Sequence, residues 1–477
     1  MEVLQRTANR GSISTGYDID NSLKFEEDNL EAVYAQPTAD GNQRTWTVSM
    51  WFKRTEITTS GHYHTLVTAL VGAETGSVYI TPTDELICDV GLGGTRNRQQ
   101  TAMKFRDTSA WYHIVWRVDT TQGTAADRHR LYVNGVLQEW TTIDGYPAQN
   151  FQSNWNNNYP IYIGCYSTYN NYGMCGYIAE VHHTDGISHA PTEFGEFDED
   201  TGIWKPKEYT GSYGAQGFYL PFDNSSNLGT NAKGNDVNFT LQNIAAADQA
   251  TDTPTNNFAT FNIIKRYNQG TMSFQNGGTE VTVGSGGGFW TTVFTSMAVN
   301  KGKWYFEAEV RVANGTTMWG CTPVGQTEIN INTDWYLGQN SNGQSGAGFY
   351  DNDDAYYHAG GATACTISGS SFNTQAGDIV MIGVDMDNNK LYAGVNGNWC
   401  NSSDNTLPNA TGITIVDELT YFAMAVFNAA THKANFGGYT TISISSAASD
   451  DNGYGTFEYA PPSGYYALCT KNLEEYG

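Results

Sequence analysis

The sequence predicts an all-β chain, two β-sandwiches in tandem behind a short N-terminal arm. Short runs rich in Val, Ile, Thr, Tyr and Trp alternate with clusters of Gly, Asn, Asp and Ser, and long Ala/Leu/Glu/Lys stretches at helical spacing are absent. That is the pattern of strands and turns. The 477 residues include 52 Gly, 30 Tyr and 12 Trp against 24 Lys plus Arg. The length exceeds one ordinary sandwich, so two domains of roughly 200 residues each are expected.

Residues 1–16 are polar and unpatterned and read as the arm. The first sandwich is assigned to residues 17–244. Within it Ser22-Leu23-Lys24-Phe25 is a strand, and Trp46-Thr47-Val48-Ser49-Met50-Trp51-Phe52-Lys53 alternates, with Trp46, Val48 and Met50 on one face. Trp111 to Asp119 is a further strand. Leu131-Tyr132-Val133 ends at Asn134-Gly135, a pair that favours positive φ and so a tight turn. Ile161-Tyr162-Ile163-Gly164 and Gly176 to Val181 complete the set.

Residues 245–262, small and polar with Pro254, read as a linker. The second sandwich is assigned to 263–470 and a C-terminal tail to 471–477. The second block contains a hairpin: Ile379 to Asp385, a turn at Asp387-Asn388-Asn389, then Leu391 to Val395, ending at Asn396-Gly397. The two blocks echo each other. Val118-Asp119, Leu131-Tyr132 and Val133-Asn134-Gly135 correspond to Val384-Asp385, Leu391-Tyr392 and Val395-Asn396-Gly397. Sandwiches of related topology would show this.

The order of these motifs over residues 22–222 resembles a laminin-G-like, concanavalin-like jelly roll. Gly302-Lys303-Trp304-Tyr305-Phe306-Glu307, Trp335-Tyr336-Leu337-Gly338, the Gly348–Gly360 loop, the 379–397 hairpin and Asn435-Phe436-Gly437 together resemble a SPRY domain. SPRY domains bind other molecules and are not catalytic. The whole arrangement, from Gln5-Arg6 through the linker to Tyr465-Tyr466-Ala467-Leu468, resembles structural proteins of tailed, particularly marine, bacteriophages. The resemblance implies a virion component, a tail fibre or capsid appendage, assembled in host cytoplasm and attached to a host surface glycan or protein. It also implies other virion proteins as partners.

The formal net charge of −25 repels phosphate backbones, so no nucleic-acid partner is expected. No apolar run approaches the ~18 residues needed to span a bilayer, so no membrane association is expected. The first ten residues lack the apolar core of a signal peptide. The seven cysteines (88, 165, 175, 321, 365, 400, 469) are scattered and read as buried, reduced thiols, with a Cys165–Cys175 pair as the alternative.

Catalysis is not expected. Glu26-Glu27-Asp28-Asn29-Leu30-Glu31 formally matches the Glu-x-Asp-x-x-Glu of concanavalin-like glycosidases, but its intervening residues are not those of a buried strand. It reads as a solvated loop. Glu196 to Thr201 lacks the final Glu. His62 with His64, and His182, His183, Asp185 and His189, are weak metal candidates that read as ordinary sheet residues. No cofactor is required; calcium is the one candidate ion, best placed at Asp351 and Asp353. The rival functions are a glycan depolymerase acting through Glu26 or Glu31, and a secreted lectin-like adhesin.

Two loops have the composition of a recognition surface. One carries Trp155, Asn156 and Tyr159, with Tyr166, Tyr169 and Tyr172 close in sequence; the other carries Tyr350, Asp351, Asp353, Tyr356 and Tyr357. Flat aromatic rings stack on sugars while amides and carboxylates bond hydroxyls, and the same residues serve subunit interfaces. Arg6 and Arg10, basic residues in an acidic chain, are the expected virion anchor. A homo-oligomer, a trimer, is expected, firmer at high salt because salt screens like charge.

Overall fold

The computed structural model describes residues 16–477 apart from 27–28, 58–60, 72–73, 93, 167–171, 235–236, 268–271, 285–289, 312–316, 326–335, 340–345, 372 and 428–429. Arg6, Arg10 and Tyr169 lie outside the described residues. The chain divides into two compact units, Met1–Asn257 and Phe258–Gly477. Both are all-β, and among the described residues the strand pairings are antiparallel except that Tyr466–Ala467 runs parallel to Lys303–Glu309.

In the first unit two sheets face each other. The described strands of one run in the order Val136–Leu137, His129–Val133, Tyr112–Asp119, Thr45–Arg54, Gly176–Asp185, Ser22–Phe25, Gln249–Ala250. The other runs Trp140–Ile143, Arg98–Lys104, Glu85–Val90, Glu74–Ile80, His64–Val71, Ile161–Ile163, Ala32–Ala35, Thr240–Gln242. Alternation decides what lies between them: Trp46, Val48, Met50 and Phe52 enter the core with Ile114, Trp116, Val67, Val78, Ile161 and Ile163. The other face of Thr45–Arg54 is buried as well, because residues 187–215 fold over it. Thr47 Oγ1 donates to Ile187 O at 2.8 Å, Trp204 Nε1 donates to His113 Nδ1 at 2.9 Å, and Phe194, Tyr209 and Tyr213 pack on Val115.

The expected turns form as read. Val133 pairs with Val136 across Asn134 (φ 46°) and Gly135 (φ 78°), the two-residue turn that Asn-Gly favours. In the second unit Val395 pairs with Asn398 across Asn396 (φ 49°) and Gly397 (φ 80°). The strands before each turn pair in the same manner, Tyr112–Asp119 with His129–Val133 and Ile379–Asp385 with Lys390–Val395. The echo between the two blocks is therefore an equivalent three-strand element.

The second unit is also a sandwich. Its described strands run Phe261–Tyr267, Trp290–Val299, Thr420–Phe427, Thr317–Pro323, Ala347–Tyr350, Ala355–His358, Gly361–Ala364 in one sheet. In the other they run Met272–Gln275, Glu280–Val283, Ala430–Asn435, Lys303–Glu309, Ile379–Asp385, Lys390–Val395, Asn398–Trp399. Buried Glu307 fastens the C-terminal segment to the second sheet. Its carboxylate accepts from Tyr305 Oη at 3.0 Å, Asn435 Nδ2 at 3.1 Å, Glu458 N at 2.9 Å and Tyr459 N at 2.8 Å.

The segment read as a linker is built into the units, and the boundary falls inside it, after Asn257. Gln249–Ala250 pairs with Ser22–Phe25, and Lys53 Nζ donates to Asp252 Oδ2 and Asn257 Oδ1, each at 2.7 Å, in a fully buried cluster with Trp111. Small polar residues suit such a cluster as well as a spacer. Residues 471–477, read as a tail, continue an α-helix at Thr470–Tyr476, where Tyr476 stacks on Tyr466 with centroids 3.9 Å apart. All seven cysteines are buried. No helix among the described residues is long and apolar enough to cross a membrane.

Candidate functional site

A patch of half-buried tyrosines lies on the outer face of the sheet that ends at Trp140–Ile143 and Thr240–Gln242. In Glu74–Ile80, Val78 and Ile80 enter the core, so alternation turns Tyr79 outward. Tyr63 meets Tyr79 edge-on at 5.7 Å and stacks on Tyr172 at 5.0 Å with 9° between the planes; Tyr166 lies 5.3 Å from Tyr172. On the same face Tyr34 and Tyr162, cross-strand partners, stack at 5.2 Å. Asp89, Arg96 and Arg98 adjoin Tyr79, with Arg96 Nε donating to Asp89 Oδ2 at 2.6 Å and Arg98 Nε to Asp144 Oδ2 at 2.5 Å. Burial pushes the Tyr79 phenol up to about 12, so it stays a neutral hydrogen-bond donor. Flat rings beside charged hydrogen-bonding groups can stack on a ligand and bond its hydroxyls.

The sequence candidates divide between this patch and the interior. Tyr172 belongs to the patch, and Tyr159 is half-buried. Trp155 and Asn156 point inward, which corrects their reading as ligand contacts. Trp155 is 0 % exposed, with its ring 5.1 Å from Trp46 and 5.7 Å from Trp116. It sits over Gly76, where a Cβ would come 2.5 Å from the indole. Asn156 Oδ1 is 2.6 Å from His183 Nε2, and its Nδ2 donates to Asp185 Oδ1 at 3.0 Å. Sequence reasoning missed Tyr63 and Tyr79; the outward position of Tyr79 between Val78 and Ile80 was the available signal.

The second unit has its own aromatic group. Trp290 pairs in register with Phe427 and lies 5.3 Å from Tyr336 and 5.5 Å from Tyr350; Tyr350 meets Tyr357 edge-on at 5.5 Å. Tyr350 and Tyr357 are half-buried here, and the Tyr357 hydroxyl donates to Asp353. Tyr356 is again a correction: it is 0 % exposed, and its hydroxyl accepts from Ala393 N at 2.7 Å.

Asp351 and Asp353 do not share a ligand position. Asp351 is buried, and its carboxylate accepts from Thr317 N at 2.9 Å; burial pushes it up to about 7. Asp353 turns outward to Tyr357. Among the described residues no group of three or more His, Cys, Asp or Glu side chains is arranged to hold a metal ion. These two carboxylates therefore do not fit calcium as a pair.

The Glu26–Glu31 run departs from the expected solvated loop. Glu26 and Glu31 are 5 % and 3 % exposed. Both Glu31 oxygens accept from Lys24 Nζ at 3.1 Å, and Glu26 N donates to Glu31 Oε2 at 2.8 Å. Burial raises Glu31 to about 7 against the pull of Lys24. Cys175 Sγ donates to Glu26 Oε1 at 3.3 Å. The buried lysine explains the local structure: a carboxylate folded inward needs a cation, and Lys24, two residues before Glu26 on the same strand face, supplies one.

Among the described residues the histidines do not join a group arranged to hold a metal ion. His64 is buried and His62 half-buried. His183 faces the core, while its neighbour His182 faces outward, stacked on Tyr219 at 4.5 Å and 3.2 Å from Glu180 Oε2. Glu180 has φ 51° at an irregularity in strand pairing and also accepts from Tyr17 Oη at 2.9 Å and Tyr219 Oη at 2.7 Å. His189 lies 2.9 Å from Tyr209 Oη.

Residues 28–186 match the family model of the concanavalin A-like lectin/glucanase superfamily, laminin G type. A search of curated proteins returns no match. Among solved structures, the chain is similar to the SPRY domain of human HERC1 at 17 % identity, covering 36 % of this chain and 94 % of that one, with a TM-score of 0.26. It is similar to a heptameric SAP-like pentraxin from Limulus polyphemus at 13 % identity, covering 37 % and 82 %, TM-score 0.28. It is also similar to a provisionally assigned carbohydrate-binding protein from Bacteroides ovatus at 16 % identity, covering 47 % and 58 %, TM-score 0.29. The likeness to the concanavalin A-like lectin/glucanase superfamily thus falls within the first unit, over residues 28–186.

Proposed function

We propose that the chain is a non-enzymatic attachment protein that binds a surface glycan through the tyrosine patch of its first unit. The observation that carries this reading is the joining of Tyr63, Tyr79, Tyr166 and Tyr172 on one sheet face beside the exposed side chains of Arg96 and Arg98. The lectin/glucanase family match supports a sugar as the ligand class. The non-enzymatic reading is supported by Glu26 and Glu31, buried and occupied by Cys175 and Lys24. The place of the chain on a bacteriophage particle, as a tail fibre or capsid appendage anchored by Arg6 and Arg10 and assembled as a homotrimer with other virion proteins, rests on the sequence resemblance and the acidic composition.

A glycan array probed with the purified chain tests the binding. One family of glycans is expected to bind, with at least tenfold weaker binding in Tyr63→Ala and Tyr172→Ala and no change in Tyr357→Ala. Binding unaffected by both first-unit substitutions would refute the patch. Release of reducing sugar by the pure protein, lost in Glu26→Gln or Glu31→Gln, would instead establish the depolymerase.

A further inference from the structure

Cys365 and Cys400 occupy the same edge of the second sandwich, on opposite sheets. Among the described strands, Gly361–Ala364 ends the order of one sheet and Asn398–Trp399 ends that of the other. Each cysteine directly follows one of these strands. Tyr356 already joins the sheets here, through its hydroxyl to Ala393 N at 2.7 Å.

The two backbones are held side by side by Asn401. Its N–H donates to Thr366 O at 2.7 Å, its Oδ1 accepts from Thr366 N at 2.8 Å, and its Nδ2 donates to Ala364 O at 3.2 Å. One side chain thus brackets Cys365 from both sides, while its own neighbour is Cys400. Burial, and then the Cys400 thiol beside it, push the Cys365 thiol up. Cys365 and Cys400 each stand one residue from this bonded backbone pair, and a disulfide needs Cα atoms roughly 4.4–6.8 Å apart.

We infer that Cys365 and Cys400 form a disulfide that staples the two sheets of the second unit in an oxidising medium. The oxidant is a small-molecule disulfide. The Cys365 thiolate attacks one of its sulfurs and expels a small thiolate. The Cys400 thiolate then attacks the Cys365 sulfur of the mixed disulfide and expels the second. Two protein thiols and one small disulfide become one protein disulfide and two small thiols, so two electrons and two protons pass to the oxidant. Cys365 is 3 % exposed and Cys400 0 %, so exchange waits on local opening of the short edge strands. The staple closes a loop of about 35 residues. It also fixes the edge next to the hairpin that carries Tyr350, Asp353 and Tyr357.

The full chain is produced in cells with an oxidising cytoplasm and in ordinary reducing cells, and circular dichroism confirms the same fold in both. A non-reducing peptide map of the oxidised protein is expected to show Cys365 linked to Cys400. The melting transition of the second unit is expected to rise by roughly 5–10 °C and to fall back on reduction with a phosphine. Cys400→Ser should show neither effect. Free thiols at both positions in folded protein from oxidising cells, or either cysteine bound to a different partner, would overturn the inference. Reduced folded protein treated with oxidised glutathione in low urea gives a second reading: the linked peptide supports the staple, and a mixed disulfide that persists without closing refutes it.

Discussion

In the first unit burial holds His113 and His129 down to about 3, His183 to about 4, and His64 well below its ordinary value, and it lowers His189 as well. The second unit has one such group among the described residues, His432, at about 3. Its buried carboxyls include Asp351, raised to about 7, and Glu307, raised by burial against four donated hydrogen bonds. The two sandwiches share a three-strand element and a mode of packing, yet the lowered histidines gather in the first. A depressed histidine binds its proton first in the unfolded chain, so it costs stability as pH falls below about 6.5. A raised carboxyl binds its proton first in the folded chain, so it adds stability as pH falls from about 7 towards its ordinary value. Similar architecture therefore leads to different responses to acid.

The largest expected effect follows from that contrast. Each sealed histidine should cost roughly 2 kcal/mol at pH 5 relative to neutral pH. Glu31, raised to about 7 in the same unit, returns part of the sum. A calorimetric scan from pH 7.5 to 5 should therefore show the first unit's transition falling by many degrees while the second holds nearly still. Two transitions that move together would break the comparison.

Next in size is the cost of emptying the first core. Trp155→Ala should destabilise the first unit by about 3–5 kcal/mol, because a fully buried indole against Trp46 and Trp116 leaves a cavity. Urea unfolding measures this, and a loss below 1 kcal/mol would return Trp155 to the surface. Asp351→Asn keeps an acceptor for Thr317 N and removes the titrating group. The acid stabilisation of the second unit, about 2 kcal/mol between pH 7 and 5, should disappear with it. An unchanged pH slope in the variant would assign the effect to Glu307. The smallest expected change is Tyr172→Ala, which should cost under about 1.5 kcal/mol in stability, since its ring stacks on Tyr63 at a half-buried site. A larger loss would make the patch a packing element and weaken its reading as a binding surface.

The acidic run at Glu26–Glu31 shows where reading along the chain stops. Its polar appearance suggested solvent, and Glu31 is instead enclosed with Lys24 and Asp248, the latter 2.9 Å from Lys24 Nζ and more than two hundred residues away in sequence. Asp252 likewise closes on Lys53 and Trp111 from the far end of the unit. Long-range polar partners of this kind leave no local signature.

What the sequence determined by itself is what depends on near neighbours. The period-two alternation of Trp46, Val48 and Met50 fixed which face enters the core, since a strand turns successive side chains to opposite sides. Asn134-Gly135 and Asn396-Gly397 fixed two hairpins, because positive φ at both turn positions suits those residues. The number of sandwiches followed from length and pattern. Tertiary structure decided the rest. It turned Trp155, Asn156 and Tyr356 inward and brought Tyr63 and Tyr79 to Tyr172. It wound residues 470–476 into a helix against Tyr466 and set Cys365 beside Cys400. Each of these depends on which distant strand lies alongside, and the free energy that selects that strand comes from burying the whole core at once, which no single stretch of residues contains.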